Sequence, residues 1–394
     1  CFVALVLLYL NASMNIAIDI RCLMEKELTG VGEYTFNLLK HLFEIDNTNE
    51  YFLFYNSRQD VAKYIPKFPK TNIHYCVFHW PNKLLNLSIK FLKYHKLDLW
   101  IQKIYHTPPI DFFFFPNICS LRTNCPYVLT AHDLSYEFFP EFLSFKRKFW
   151  HHFVNPAQLF KNAKQIIAIS KNTKQDLINH YQIEPSKIHT IYSGLSANYK
   201  ILPTDDVRLK KIKQKYNLPE KFVLFLGTIE PRKNLASLIS AFELFNQEHP
   251  EYSLVIAGKL GWKFKKILKS AKLTPNIKFV SFIKDSEKRY FYNLASMFVY
   301  PSFYEGFGFP PLEAMACGCP VITSSNSSLS ETCQEAALLI DPCNINDLVQ
   351  AMDILTKKEN AEYWRSLGLK KAKEFNWYKT AQEVATLLKN IRLR

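Results

Sequence analysis

Glycine is scarce in this 394-residue chain: 10 residues, against 20 prolines, 32 phenylalanines and 21 tyrosines. Each glycine that is present is therefore more informative than usual. Long apolar runs are also missing. The longest, Cys1–Leu10, is about half of the roughly 20 residues a spanning helix needs, so no membrane span is expected. That run lacks the basic n-region and small-residue cleavage site of a signal peptide. Because Met14 opens a good strand, residues 1–13 read as a leader remnant or a mis-assigned start. The nine cysteines form no CxxC, and Cys317-Gly-Cys319 has no second pair at zinc-ligand spacing. They read as small buried thiols in a reducing, cytoplasmic compartment, with no metal site. With 48% hydrophobic and 22% charged residues, a mainly disordered chain is excluded. The length points to two or three domains.

Acidic residues are the minority sign, 35 against 50 Lys and Arg, for a net charge of +15. Residues 61–104 hold eight lysines and one acid, the whole excess of the N-terminal half. Between 83 and 103, Lys83, Lys90, Lys93, Lys96 and Lys103 interleave with Leu84, Leu87, Ile89, Leu92, Leu97 and Trp100. This pattern reads either as a basic amphipathic helix suited to an anionic membrane surface or as a core-packing helix with a solvated lysine face. No nucleic-acid motif accompanies the charge, and no nucleic-acid partner is expected.

Buried, non-alternating strands are expected at 14–20, 51–55, 73–78, 112–115, 127–130, 165–169 and 187–192, separated by helices. The rhythm restarts after a polar stretch near 200–206, with strands at 222–226, 253–257, 277–280, 297–300 and 320–323. One intervening helix is expected near 263–271, and Thr173-Lys-Gln-Asp176 reads as a capping box. Such alternation indicates an α/β fold of two doubly wound, Rossmann-like domains with parallel sheets. The divisions read are 14–200, 201–375, and a C-terminal helix at 376–394 packing back on the first domain. Ligands of such folds sit beyond the carboxyl ends of the strands, here in a cleft between the halves.

Every unusual cluster follows such a strand end. Glu305 and Glu313 bracket Gly306, Phe307, Gly308, Phe309, Pro310 and Pro311. The glycines permit close backbone approach, and the prolines suit the start of a helix, placing Glu305 in a loop and Glu313 in the first helical turn. A helix N-terminus with free amides suits phosphate, and flanking carboxylates suit hydroxyls. Gly227-Thr-Ile-Glu-Pro-Arg232-Lys233 follows another strand and offers a rigid fork beside a mobile point charge, expected at a cleft surface and able to stabilise a departing diphosphate. His132-Asp133 ends the 127–130 strand. Thr29-Gly30-Val31-Gly32 forms the first loop after the first strand and lacks the third glycine of a dinucleotide fingerprint.

The E-x7-E block YEGFGFPPLEAMACGCPVI, GTIEPRKN at 227–234, AHDLS at 131–135, TGVGEYTFNLL at 29–39 and Phe375-Asn-Trp377 together resemble the retaining family-4 (group 1) glycosyltransferases of the GT-B fold, among them bacterial mannosyltransferases of surface-polysaccharide synthesis. The resemblance implies two Rossmann-like domains facing across a cleft, and transfer of a hexose from a nucleotide-diphosphate sugar, GDP-mannose first, to a lipid-linked or cell-surface glycan. It implies that Glu313 binds ribose, Glu305 the sugar's hydroxyls, Arg232 and Lys233 the diphosphate, and His132 the sugar near the reacting carbon. Gly30 and Gly32 would close over the phosphates, with Gly227, Gly306, Phe307, Gly308 and Phe309 around the donor. Glu33 stands where relatives often carry a basic residue. Neither metal nor cofactor is implied, and the protein would be cytoplasmic, peripheral on the inner membrane face through 83–103. A UDP-glucose or UDP-GlcNAc transferase on the same fold, or a non-catalytic binder of sugar nucleotides or glycans, are the alternatives.

Overall fold

The computed structural model describes residues 13–91, 96–265, 267, 269, 274–281 and 283–392. The expected leader at 1–13, apart from its last residue, and part of the helix expected near 263–271 lie outside these residues. The chain divides into two compact units. The first comprises Cys1–His132, Phe149–Gly194 and Trp377–Arg394, and the second Asp133–Lys148 and Leu195–Asn376.

The first unit carries a seven-stranded parallel sheet. Its strands are β1 (Asn15–Asp19), β2 (Glu50–Asn56), β3 (Ile73–Phe78), β4 (Phe112–Phe115), β5 (Tyr127–Ala131), β6 (Gln165–Ala168) and β7 (Ile188–Thr190), in the order β3-β2-β1-β4-β5-β6-β7. β4 is four consecutive phenylalanines, all buried, as a strand covered on both faces requires. The glycines Gly30 and Gly32 do not form a loop: helix α1 (Gly30–Ile45) begins at Gly30, with the Thr29 hydroxyl accepting from the Gly32 amide at 3.4 Å. Short-range capping chemistry lengthens this helix beyond its apolar stripe. The last helix, Trp377–Arg392, packs on α1. A Cβ on Gly194 would lie 2.2 Å from the Trp377 nitrogen, so this close approach needs the glycine.

Two further sequence expectations are corrected in this unit. The basic segment 83–103 is not one helix but two, α2 (Asn82–Phe91) and α3 (Leu97–Tyr105), with Lys96 in extended backbone at φ −113° and ψ 129°. Tertiary bonds set the start of α3: the Leu97 amide donates to the Arg122 carbonyl at 2.9 Å, and the buried Asp98 carboxylate accepts from the Asn124 and Cys125 amides at 2.9 and 3.0 Å. Leu84, Leu87 and Leu99 are exposed rather than packed in a core. Lys93 lies outside the described residues. The cap of helix α4 (Lys171–Tyr181) is Ser170, whose hydroxyl accepts from the Thr173 amide at 3.0 Å, rather than Thr173 itself.

The second unit repeats the plan with β8 (Lys221–Leu226), β9 (Tyr252–Ala257), β10 (Ile277–Val280), β11 (Met297–Tyr300), β12 (Val321–Ser324) and β13 (Leu338–Ile340), ordered β10-β9-β8-β11-β12-β13 and all parallel. Helices α5 (Leu235–Glu248), α6 (Asp285–Leu294), α7 (Phe309–Ala316), α8 (Ser327–Thr332), α9 (Ile345–Thr356) and α10 (Lys358–Ala372) connect them. Strand β13 escapes sequence reading, being three residues long with its central Leu339 exposed. Residues 133–148, expected in the first domain, group here because of their contacts. The Leu134 amide donates to the Tyr304 hydroxyl at 3.4 Å, Phe139 lies 5.9 Å from the Tyr304 ring, and Phe142 stacks on Phe303 at 5.8 Å.

In both sheets the strand order reverses beside the first strand, at β1/β4 and at β8/β11. Those are the points where an open parallel sheet leaves room for a ligand beyond its strand ends.

Candidate functional site

The β8/β11 switch point of the second unit holds four clustered charges, of which Glu230, Lys233 and Glu305 are buried and Arg232 is half-buried. Arg232 and Lys233 form a short helical turn, Pro231–Lys233, after β8, and Glu305 lies in the loop after β11. Because β8 pairs directly with β11, residues distant in sequence meet here. Lys233 Nζ donates to Glu305 Oε1 at 2.5 Å and to the Tyr300 hydroxyl at 2.6 Å. Arg232 Nη1 lies 3.0 Å from Glu305 Oε2 and donates to the Tyr304 carbonyl at 2.5 Å, while Nη2 donates to Glu230 Oε1 at 2.9 Å. Two cations are thus balanced by two carboxylates.

The loops are tied down around this knot. The Phe303 amide donates to the Arg232 carbonyl at 2.9 Å. Ser327 accepts from the Glu305 amide at 3.0 Å, and the Ser328 hydroxyl donates to the Glu305 carbonyl at 2.8 Å. Asn234, in left-handed backbone at φ 54°, ends the turn and donates to the Pro342 carbonyl at 2.7 Å. The side chains of Arg232 and Lys233 are 18% and 9% exposed. Ion pairing lets the fold bury them.

Burial pushes the Glu305 carboxyl up, but the charges of Arg232 and Lys233 outweigh it and hold the group at about 2. Burial, followed by the like charge of Arg232, pushes the Lys233 ammonium down. The geometry keeps the pair ionised, since one carboxylate faces two cations within 3.0 Å. Neither partner is saturated. A lysine has three donors and two are engaged, while each carboxylate oxygen retains a lone pair. An arriving anion or hydroxyl can therefore be bound without dismantling the knot.

Glu313 is in a different environment. It is the fifth residue of α7, so it lies in the second turn and not the first, because the helix starts at Phe309. It is buried and accepts from the Tyr292 hydroxyl at 2.8 Å. Burial raises its carboxyl above the usual range, against the opposing charge of Lys288 and the Tyr292 and Tyr199 hydroxyls. Gly306, Phe307 and Gly308 are buried in the turn before α7, and Phe309 lies 4.9 Å from the Phe307 ring. Gly308 caps the helix at φ +91°, where a Cβ would come within 2.6 Å of Leu329 Cδ2. Gly227 follows β8, and its carbonyl would lie 2.0 Å from a Cβ on Gly258.

His132, Gly30 and Gly32 belong to the first unit. His132 follows β5, half-buried, with Nε2 at 2.8 Å from the Pro116 carbonyl and its ring edge-on to Tyr34 at 4.8 Å. Since a carbonyl only accepts, Nε2 carries the proton of that bond. Trp377 packs 5.8 Å from Tyr34 on its other contact. Gly30 has open space where a Cβ would point, whereas Gly32 is hemmed by Leu28 and the Cys22 carbonyl. Among the described residues no group of three or more His, Cys, Asp or Glu is placed to hold a metal, and no helix is long and apolar enough to cross a membrane.

Sequence reasoning overlooks Glu230, Tyr300, Tyr304 and Tyr292. Glu230 stands inside the quoted GTIEPRKN stretch and was readable as a neighbour of Arg232. Tyr304 stands at the head of the quoted YEGFGF stretch, whereas Tyr300, at the end of β11, and Tyr292, on α6, carry no local signal, because their partners are distant in sequence.

The family described as "Glycosyltransferase Family 4" matches residues 28–199, and "Glycosyl transferases group 1" matches residues 207–390. The chain is 28% identical over 378 residues to O-antigen chain mannosyltransferase B of Escherichia coli, covering 89% of this chain and 93% of that one. Its fold is similar to sucrose-phosphate synthase from Thermosynechococcus elongatus, with TM-score 0.74, 19% identity, and 96% and 98% of the two chains covered. It is also similar to Anabaena HepE in complex with UDP and glucose, with TM-score 0.71, 18% identity, and 96% and 100% covered. Two Rossmann-like units of the GT-B kind, matched along almost their whole length by two glycosyltransferase families, mean that the chain belongs to the group 1, family 4 glycosyltransferases.

Proposed function

We propose that the enzyme transfers a hexose, with GDP-mannose as donor, from a nucleotide-diphosphate sugar to a lipid-linked or cell-surface glycan with retention of configuration. The observation that carries this reading is the Arg232–Lys233–Glu305 knot at the β8/β11 switch point. Cleaving a sugar–phosphate bond builds charge on the departing diphosphate. Two fixed cations in a site of low polarity stabilise that charge with little reorganisation. Arg232 and Lys233 hold the diphosphate. Glu305, with lone pairs to spare, accepts from the sugar's hydroxyls and keeps both cations oriented. Glu313 holds the ribose, His132 meets the sugar near the reacting carbon, and Gly30 and Gly32 approach the phosphates. Gly227, Gly306, Phe307, Gly308 and Phe309 shape the donor pocket. No metal ion or cofactor takes part. The relative's name, an O-antigen chain mannosyltransferase, supports mannose and a surface-glycan acceptor.

The exposed leucines of α2 and α3 support a cytoplasmic enzyme resting on the inner membrane face through 83–103, where a lipid-linked acceptor is reached. The test of the donor is a calorimetric binding screen against UDP-, GDP- and ADP-sugars, followed by NMR of the product's anomeric proton. Preference for GDP-mannose with retention is expected. Preference for a UDP-sugar, the nucleotide that HepE holds, would replace the donor. Binding without turnover would support the non-catalytic alternative.

A further inference from the structure

Tyr300 is the last residue of β11 and is 1% exposed. Its ring stacks on Phe225 of β8 and on Phe298 of its own strand, each at 5.7 Å, and its carbonyl accepts from the Thr323 hydroxyl of β12 at 2.9 Å. Sealing a hydroxyl into such an aromatic layer is unfavourable unless the hydroxyl finds a partner. It finds one in Lys233, accepting from Nζ at 2.6 Å. Burial, and then the charge of Glu305, push the phenol up against the charge of Arg232, so it stays neutral and offers a lone pair without adding a charge. An ammonium held by one acceptor still turns about its Cε–Nζ bond, and its four-carbon stem keeps its rotamers. Held by two fixed acceptors, Glu305 at 2.5 Å and Tyr300 at 2.6 Å, its third N–H points in a single direction. Glu305 is itself tied down through its backbone by Ser327 and Ser328. Arg232 needs no such device, because its planar fork is rigid.

We propose that Tyr300 is a positioning residue whose hydroxyl, together with Glu305, aims the remaining N–H of Lys233 at the diphosphate of the donor. This role rests on the reading of Lys233 as a diphosphate ligand and adds the group that preorganises that ligand before the donor arrives. Phenylalanine would fill the same aromatic layer, so packing does not account for the hydroxyl.

A double-mutant cycle on the full chain tests it: the wild type, Tyr300→Phe, Lys233→Met and the double variant are titrated calorimetrically with GDP and with UDP, and the nucleotide that the wild type binds more tightly is compared. Tyr300→Phe keeps the stacked ring and Lys233→Met keeps the stem, and melting curves verify that each variant is folded. Lys233→Met is expected to weaken binding about tenfold or more, and Tyr300→Phe about fivefold. Once Lys233 is gone, Tyr300→Phe should change the affinity by less than about twofold, because its effect passes through the ammonium. A loss caused by loosening of β11 would persist in the Lys233→Met background, and that result would overturn the proposal. So would wild-type affinity in Tyr300→Phe beside weakened binding in Lys233→Met, which would leave the reading of Lys233 standing alone. Undiminished binding in Lys233→Met would remove that reading and the role of Tyr300 with it.

Discussion

The two units share a strand order and place an arginine at the same topological point, yet use it differently. After β1, Arg21 forms a bidentate pair with Asp19 two residues away, at 2.6–3.0 Å, and donates to the Ser120 carbonyl. That pair closes within its own loop and is capped by Cys119, whose thiol donates to Asp19 at 3.3 Å. After β8, Arg232 pairs locally with Glu230 but also reaches across the switch point to Glu305, and Lys233 beside it does the same. One arrangement is neutralised by its own loop. The other is neutralised by a loop that also caps a helix N-terminus, leaving donors that are not committed. A fold shared between two units does not share its chemistry, which is set by where the counter-charges come from.

The largest expected effect separates these two arginines. Arg232→Ala, or Lys233→Ala, should lower kcat by about 10²-fold or more, as loss of a preorganised donor does. Arg21→Ala should leave kcat within a few-fold while destabilising the protein by about 3 kcal/mol, the cost of breaking a buried pair. Steady-state kinetics with paired melting curves distinguish the outcomes. Equal losses of turnover would erase the contrast.

Next in size is a contrast of sign within the second unit. Glu305 is held at about 2, below its ordinary 4.5. Its ionised form therefore adds stability, on the order of 3 kcal/mol, that is complete above pH 4.5 and disappears as pH falls toward 2. Glu305→Gln should destabilise at neutral pH, and its deficit should shrink through that acidic window. Glu313 is raised by burial, so its ionised form opposes folding at neutral pH. The wild type should gain stability as pH falls through the raised value, and Glu313→Gln should be neutral or stabilising at pH 7. Denaturant midpoints across pH check both, and parallel curves for the two variants would contradict the assignment.

The smallest contrast concerns glycines. Gly308→Ala meets both a positive φ and Leu329, and should cost about 1–3 kcal/mol. Gly30→Ala has open space and should change stability by about 0.5 kcal/mol or less, by thermal melt.

Most of the sheet architecture was legible because buried parallel strands are continuous apolar runs: Phe112–Phe115 and Met297–Tyr300 match their predicted bounds. What was not legible depended on tertiary partners. Nothing local to 83–103 announces that Asp98 will accept two loop amides and fix the start of α3 at Leu97. The paired prolines placed the start of α7 slightly late, which moved Glu313 into the wrong turn. Arg232, Lys233 and Glu305 were each recognisable as candidates from their strand ends. Their mutual pairing was not, because it exists only once β11 has crossed over to lie beside β8.

The central claim is that the grip on the diphosphate lies in the second unit's knot, while His132 of the first unit serves the sugar. Isothermal titration of GDP, which lacks the sugar, tests it most directly. The account predicts that Arg232→Ala with Lys233→Ala weakens GDP binding by about tenfold or more, as the loss of charge-assisted bonds requires, and that His132→Ala leaves it unchanged. Undiminished GDP binding in the folded double variant, or an equal loss in His132→Ala, would contradict it.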